Sequence, residues 1–186
     1  MRSHGYPVRL ATLACVIAST AGQAQAVGGI GLGHTDLGAV IGLGEIGGAS
    51  ISLGGRWERV FKALPDVGDG LLGIQVGADW YSWNQRWSGT YRSSVSWIPI
   101  GVTANYHFKM ENRKVDPFLG AGLGYEIVNA SCEVDGIDYC GGSYSSGIYV
   151  ITKAGIRYFL NPKTALYADI GVGGATLHVG AVWKMR

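Results

Sequence analysis

Apolar residues alternate with polar or glycine residues along most of this chain, and turn residues separate the alternating segments. In the clearest segment, residues 98–108, the even positions are apolar or aromatic and the odd positions are mainly glycine or polar. This period of two predicts a β-strand, because successive side chains of a strand point to opposite faces. The same pattern recurs at residues 72–80, 119–127, 150–158, 166–172 and 177–185. We therefore predict an all-β protein.

Two further strands are expected before Phe61. Leu37–Leu43 predicts one and Ile51–Trp57 the next, while the glycines between Gly42 and Gly48 leave open a strand that begins near Ile30. No apolar run after residue 26 is long enough to predict a transmembrane helix. Since a closed bacterial barrel has an even number of antiparallel strands, the pattern predicts an eight-stranded antiparallel up-and-down β-barrel.

The first 26 residues have the features of a secretory signal peptide. Arg2 and Arg9 are basic, Leu10–Gly22 is apolar or small, and Ala24–Ala26 has the form of a cleavage site. A membrane anchor is the alternative, although the apolar stretch is short for one. We expect residues 1–26 to be removed and residues 27–186 to form the barrel. The remaining chain then has 13 basic and 13 acidic residues, which argues against binding to nucleic acid.

Alternation alone does not show which face of the barrel lies inside. A soluble lipocalin-like barrel would place its apolar face inside, and Gly55-Arg56-Trp57 matches a short lipocalin motif. A membrane barrel would place that face outside. The less apolar face is rich in glycine and poor in charge, which suits a narrow interior. Aromatic residues also lie near the strand ends on the apolar face, as in the girdles of membrane barrels: Trp80, Tyr125, Tyr106, Phe108, Tyr158 and Trp183. We therefore favour a membrane barrel.

The alternating strands, the segment Asp116–Tyr125 with its sequence PFLGAGLGY, and a last strand containing Trp183 resemble small Gram-negative outer-membrane barrels of the OmpA/OmpX/OmpW-like group. This resemblance implies an exported protein of the outer membrane. It implies contact with outer-membrane lipid and lipopolysaccharide, and insertion by the barrel-assembly machinery. It implies no cofactor and names no substrate.

Charged residues on the less apolar face are expected to pair inside the barrel. Burying charges is costly unless they pair, so we predict an ion-pair network in the lumen. Its expected members are Arg56, Glu58, Asp79, Glu126, Lys153, Arg157 and Asp169. The network would plug the lumen, since eight-stranded barrels enclose little more than their own side chains. The alternative is a narrow pore for ions or small solutes.

The two longest connections, residues 81–96 and 129–146, fall on the same predicted side, which is the outer side. The first is aromatic and basic and suggests contact with an extracellular ligand. The binding candidates are Trp83, Arg86, Trp87, Tyr91 and Arg92. Their aromatic residues would otherwise only extend the girdle or the hairpin. The second connection contains Cys132 and Cys140, which predict a disulfide rather than a zinc site.

An enzyme that acts on lipids at the barrel rim is a further alternative. His178, Asp79 and Ser82 are all expected near the outer end of the barrel. No nucleophile motif surrounds the serines, and the sequence shows no metal cluster or phosphate-binding loop. We therefore expect a non-enzymatic outer-membrane barrel with a structural or surface-interaction role.

Overall fold

The computed structural model describes residues 29–46, 49–87, 91–134, 137–138 and 145–185, and its regular elements in those ranges are strands. They are β1 (Thr35–Ile46), β2 (Ala49–Leu64), β3 (Gly70–Trp87), β4 (Tyr91–His107), β5 (Val115–Val134), β6 (Ile137–Asp138), β7 (Gly147–Asn161), β8 (Thr164–Val172) and β9 (Leu177–Lys184). Within these ranges no helix is long and apolar enough to cross a membrane.

Eight of these strands close into a barrel. Each of β1 to β4 pairs with its sequence neighbours, β5 pairs with β4 and β7, and β9 returns to pair with β1. All of these pairs are antiparallel. The two-residue strand β6 pairs only with the far end of β5. The predicted eight-stranded antiparallel barrel is therefore confirmed.

The connections at one end of the barrel are short. The turn between β2 and β3 spans residues 65–69 and reverses the chain through Gly68 and Asp69, whose φ angles are 66° and 54°. Glycine tolerates this left-handed region without strain, and aspartate is among the few other residues that adopt it. The turns at residues 108–114 and 162–163 lie at the same end. This is the end predicted to face the periplasm.

At the opposite end the prediction of a long loop over residues 81–96 is wrong. Strands β3 and β4 continue through most of this segment, and their pairing extends to Trp87 opposite Tyr91. Polar serines and asparagine at outward positions maintain the alternation here, so the strands rise beyond the apolar part of the barrel as a hairpin. The alternative in which these aromatics extend the hairpin fits the backbone.

The apolar face of the barrel points outward. Exposed fractions reach 79% for Ile148, 63% for Val150 and 60% for Leu123, whereas Glu58 and Arg157 are fully buried on the inward face. A soluble lipocalin-like barrel would have the reverse arrangement. The structure therefore contradicts the lipocalin-like alternative.

Inward-facing glycines provide space for the large side chains of the lumen. A Cβ atom added at Gly155 would lie 2.2 Å from the ring of Phe118, and one at Gly77 would lie 3.0 Å from Cδ of Arg56. A Cβ atom at Gly124 would lie 2.3 Å from the ring of Tyr149. A narrow barrel can therefore hold an arginine or an aromatic ring only because the facing position has no side chain.

Candidate functional site

The inner half of the lumen contains a cluster of charges around Arg157. Its Nη1 donates to Oδ2 of Asp36 at 2.8 Å and its Nη2 donates to Glu58. Oδ2 of Asp116 lies 3.8 Å from the same Nη1. All four side chains are buried. Since β8 and β9 separate β7 from β1, this guanidinium connects strands that are not neighbours and braces the barrel from within.

His107 occupies the same cluster, between two carboxylates. Its Nε2 lies 2.6 Å from Oε1 of Glu58, and its Nδ1 lies 3.0 Å from Oδ1 of Asp116. The side chains of all three residues are fully enclosed. The ring of Phe118 covers the imidazole, with the two ring centroids 5.6 Å apart. Both ring nitrogens of this histidine therefore face an acceptor.

Amide side chains complete the shell around Glu58. Gln75 Nε2 and Asn105 Nδ2 donate to its Oε2 at 2.8 and 3.1 Å. Gln75 also accepts a hydrogen bond from Lys153 through its amide oxygen. Glu58 thus has partners on β3, β4 and β7, which offset the cost of burying its charge.

A second charged cluster lies next to the first, around Asp79 and Asp169. Arg56 Nη2 donates to both carboxylate oxygens of Asp79 at 3.0 Å. His178 Nδ1 lies 2.7 Å from Oδ1 of Asp169. The other oxygen of Asp169, Oδ2, accepts a hydrogen bond from the Tyr167 hydroxyl. Arg56, Asp79, Asp169 and His178 line a cavity of about 50 Å³ together with Lys153. At about 10–15 Å³ for each water, this cavity has room for about three to five waters but not for an organic ligand of ordinary size.

Apolar side chains bound the polar lumen at both ends. At the outer end Tyr81 packs against Trp97, with ring centroids 5.4 Å apart, and its hydroxyl accepts a hydrogen bond from the Ala175 amide at 2.8 Å. At the inner end Ile30, which precedes β1, is fully buried in a cluster with Val60, Leu71, Phe118, Phe159 and Val182. The two charged clusters therefore lie between an outer aromatic cap and an inner apolar layer.

The structure brings six of the seven predicted lumen residues into this arrangement. The pairs are Arg56 with Asp79, Arg157 with Glu58, and Lys153 at 3.9 Å from Asp169. Glu126 differs: it is half-buried near the outer end of β5, and no ion pair joins it to another described residue. Its place in the network therefore stays a prediction.

Sequence analysis missed two buried carboxylates, Asp36 and Asp116. Both lie at the inner ends of strands, before the predicted starts at Leu37 and at residue 119. Extending the alternation by one step in β1 and by three steps in β5 would have placed both on the inward face. The other partners missed were His34, His107, Gln75, Asn105 and Tyr167, all of them buried.

The rim site suggested for a lipid-modifying enzyme is not assembled. Asp79 and His178 face the lumen, where Nε2 of His178 lies 3.6 Å from Oδ1 of Asp79. Ser82 is exposed and lies on the outward face, one position after the inward-facing Tyr81. A serine on the other face of the sheet cannot act with these two groups. In the described ranges no group of three or more His, Cys, Asp or Glu residues is placed to hold a metal ion.

The proposed surface residues differ in their placement. Trp83 is half-buried and packs against the aromatic cap, and its role in binding stays a prediction. Arg86 lies directly opposite Arg92 in the hairpin, one position before the pair formed by Trp87 and Tyr91. The side chains of these four residues lie outside the described part of the structure.

The predicted disulfide also lies outside the described part of the structure. The backbone of Cys132 belongs to β5, opposite Ser93. The Cys132 side chain and the whole of Cys140 are not described. The pairing of these two cysteines therefore stays a prediction.

Comparison with known proteins identifies the fold. No protein-family model matches the chain, and no curated protein matches its sequence. Ail, the attachment invasion locus protein of Yersinia pestis, in complex with the heparin analogue sucrose octasulfate, aligns with a TM-score of 0.54 and 11% identity, over 82% of this chain and 97% of Ail. The outer membrane protein OprG from Pseudomonas aeruginosa aligns with a TM-score of 0.54 and 13% identity, over 86% of this chain and 99% of OprG. The resemblance to small outer-membrane barrels is thus confirmed as one of fold, and this chain has the eight-stranded barrel architecture that Ail and OprG share.

Proposed function

We propose that this protein resides in the outer membrane of a Gram-negative bacterium. The observation that carries the proposal is the continuous band of exposed apolar side chains around a barrel whose interior holds the charges. On β7 this band runs over eleven residues, from Tyr158 to Ile148. At about 3.3 Å per residue and a strand tilt of about 40°, the ten steps between these residues span about 25 Å, which is the height of the apolar band of outer-membrane barrels.

Aromatic side chains at the two edges of the band support this placement. Trp80 and Tyr125 are about half exposed on the outer side, as are Tyr158 and Trp183 on the inner side. Their amphipathic rings suit the boundary between lipid and water. In this setting the barrel contacts outer-membrane lipid and lipopolysaccharide, and it is inserted by the barrel-assembly machinery after removal of residues 1–26.

Cell fractionation combined with heat-modifiable gel migration tests the placement. We expect the protein in the outer-membrane fraction, and an unheated form that migrates differently from the boiled form because the closed barrel resists mild detergent. A product that is freely soluble in the periplasm would refute the proposal. Mass determination of the purified protein also tests removal of residues 1–26.

We further propose a non-enzymatic barrel with a plugged lumen. The outer aromatic cap, two ion-paired clusters and the inner apolar layer occupy the lumen in succession, and the cavity of about 50 Å³ lies beside the cluster around Asp79 and Asp169. In planar bilayers the wild-type protein should therefore give no large, steady conductance. A steady conductance that changes on Lys153→Gln would favour the narrow-pore alternative instead.

The hairpin of β3 and β4 supports an additional role in surface interaction. It continues for seven residues beyond Trp80 and ends in an aromatic and basic segment. Arg86 and Arg92 are directly opposite each other on neighbouring strands. Guanidinium groups bind sulfate and phosphate groups through paired hydrogen bonds, so two neighbouring arginines favour an anionic ligand. Ail was crystallised with a sulfated sugar, and we propose a sulfated or phosphorylated glycan as the ligand class for this hairpin.

Binding to the refolded barrel tests this role. Sucrose octasulfate and purified lipopolysaccharide serve as separate probes, so that a free sulfated glycan and a membrane glycolipid are distinguished. We expect salt-sensitive binding that the double variant Arg86→Gln/Arg92→Gln loses. Lys109→Gln, at a turn at the other end of the barrel, is the matched charge control. Equal binding by both variants, or no binding by the wild type, would refute the surface role.

A further inference from the structure

The charges buried in the lumen do not balance without protonated histidine. Five carboxylates are buried: Asp36, Glu58, Asp79, Asp116 and Asp169. The arginine and lysine side chains that face them are Arg56, Lys153 and Arg157. Uncompensated charge is very costly in such an environment. Either some carboxylates are neutral, or histidines supply the missing positive charge.

The geometry at His107 favours histidine as the source. A neutral imidazole has one donor nitrogen and one acceptor nitrogen, whereas both nitrogens of the cation are donors. His107 faces a carboxylate at each nitrogen, at 2.6 Å on Glu58 and 3.0 Å on Asp116. A neutral ring would direct a lone pair at one of these carboxylates. Only the cation satisfies both contacts while each carboxylate remains charged.

The surrounding groups are consistent with this charge state. Arg157 from β7 is shared among three carboxylates, Glu58 from β2, Asp116 from β5 and Asp36 from β1. A single guanidinium therefore leaves this cluster with an excess of negative charge. The remaining groups near the ring, Asn105 from β4 and the Phe118 ring, are neutral. His34, which lies 3.2 Å from Asp36, is the other histidine of the cluster, and Lys153 reaches its edge through Gln75.

We propose that His107 is held as an imidazolium cation and that this buried proton site links β2, β4 and β5 across the lumen, keeping the inner half of the barrel closed. The two carboxylates would otherwise lie on either side of an uncharged ring. The proton therefore acts as a small cation between two groups that repel each other, as a bound metal ion does between carboxylates. The proposal extends the plugged-lumen part of the proposed function.

The protonation state is measured directly by nitrogen-15 NMR of the refolded barrel in micelles. The chain from residue 27 onward contains three histidines, His34, His107 and His178, so His34→Gln and His178→Gln assign the signals while leaving His107 intact. We expect one-bond hydrogen–nitrogen couplings at both Nδ1 and Nε2 of His107 at pH 7. A single coupling, with the other nitrogen unprotonated, would overturn the proposal whether or not the barrel conducts.

Charge compensation tests the role of the cation in closing the lumen. His107→Gln keeps a polar side chain but removes the charge, and we expect the folded-to-unfolded ratio in detergent to fall by at least roughly tenfold. Adding Asp116→Asn removes one of the two carboxylates, so the double variant should recover most of this loss. Bilayer conductance should rise in the single variant and return toward the wild-type level in the double variant. No recovery would mean that His107 acts by packing rather than by charge, which would overturn the proposal.

Discussion

Removing Arg157 should destabilise the barrel more than any change at its rim. Its guanidinium is fully buried and serves Asp36, Glu58 and Asp116 at once. Arg157→Met keeps much of the side-chain length but removes the charge and every donor. Breaking a buried ion pair by deleting one partner costs about 3–5 kcal/mol, because the other charge remains buried and uncompensated. That cost corresponds to a loss of roughly 150-fold to 4,000-fold in the folded-to-unfolded ratio.

Equilibrium unfolding in urea, with detergent micelles present, measures this loss. The fraction of folded barrel is read from the migration of unheated samples on a gel and, independently, from tryptophan fluorescence. Lys109→Met provides the matched control, since Lys109 pairs with Asp69 at 2.9 Å at the rim, where both side chains are partly exposed. Rim pairs of this kind contribute about 0–1 kcal/mol.

The reasoning also predicts how the loss is recovered. If the loss of stability comes from uncompensated negative charge, Glu58→Gln should restore part of the stability of the Arg157→Met variant. In the wild-type background Glu58→Gln should instead destabilise the barrel, because it removes a favourable contact. A loss at Arg157 no larger than the loss at Lys109 would refute the reasoning. So would strictly additive effects in the Arg157 and Glu58 double variant, because groups in direct contact should couple.

Three further changes test other parts of the structure by the same unfolding measurement. Val102→Arg places a charge in the middle of the outward apolar band and should lower the free energy of unfolding in lipid vesicles by about 2–4 kcal/mol. Its control is Ser94→Arg, above the band, which should have little effect. Equal effects of the two variants would contradict the membrane placement. Gly122→Ala places a Cβ atom 1.9 Å from the Val102 carbonyl oxygen and should lower the free energy of unfolding by about 1–3 kcal/mol. Gly55→Ala is its control and should be tolerated, because the nearest atom to the added Cβ would be 3.9 Å away. Tyr81→Phe leaves the Ala175 amide without its acceptor and should lower the free energy of unfolding by about 1–3 kcal/mol. Its control is Tyr158→Phe, on the exposed outer face. Equal stability of the two variants would argue against the hydrogen-bonded cap.

The strands were predictable because the constraint that forms them is local. In a barrel with one face toward the lumen, every second residue must meet the same environment, so alternation around Val102 or Leu123 is visible in a few neighbouring residues. Strand ends were less predictable. The end of β3, from Tyr81 to Trp87, alternates between faces but consists of tryptophan, serine and asparagine among other residues. Such a composition is equally typical of a loop.

The outward direction of the apolar face could be predicted only from composition. Alternation gives two faces but not their direction, and the motif at Gly55–Trp57 pointed toward a soluble barrel. The glycines on the less apolar face correctly indicated that this face lies inside, because glycine opposite a large side chain is a property of a confined interior. Gly77 opposite Arg56 shows this pairing directly.

The contacts within the lumen were not predictable, because they depend on how strands on opposite sides of the barrel are staggered. Arg157 and Asp36 lie 121 positions apart in sequence and on strands that do not pair. The same closure brings His107 between Glu58, 49 positions earlier, and Asp116, nine positions later. Sequence analysis placed three bases and four acids in the lumen, a difference too small to show the need for a protonated histidine. Only the buried Asp36 and Asp116, together with the half-buried Glu126, make the excess of carboxylates visible. The charge state of His107 is therefore a property of the closed barrel rather than of any strand within it.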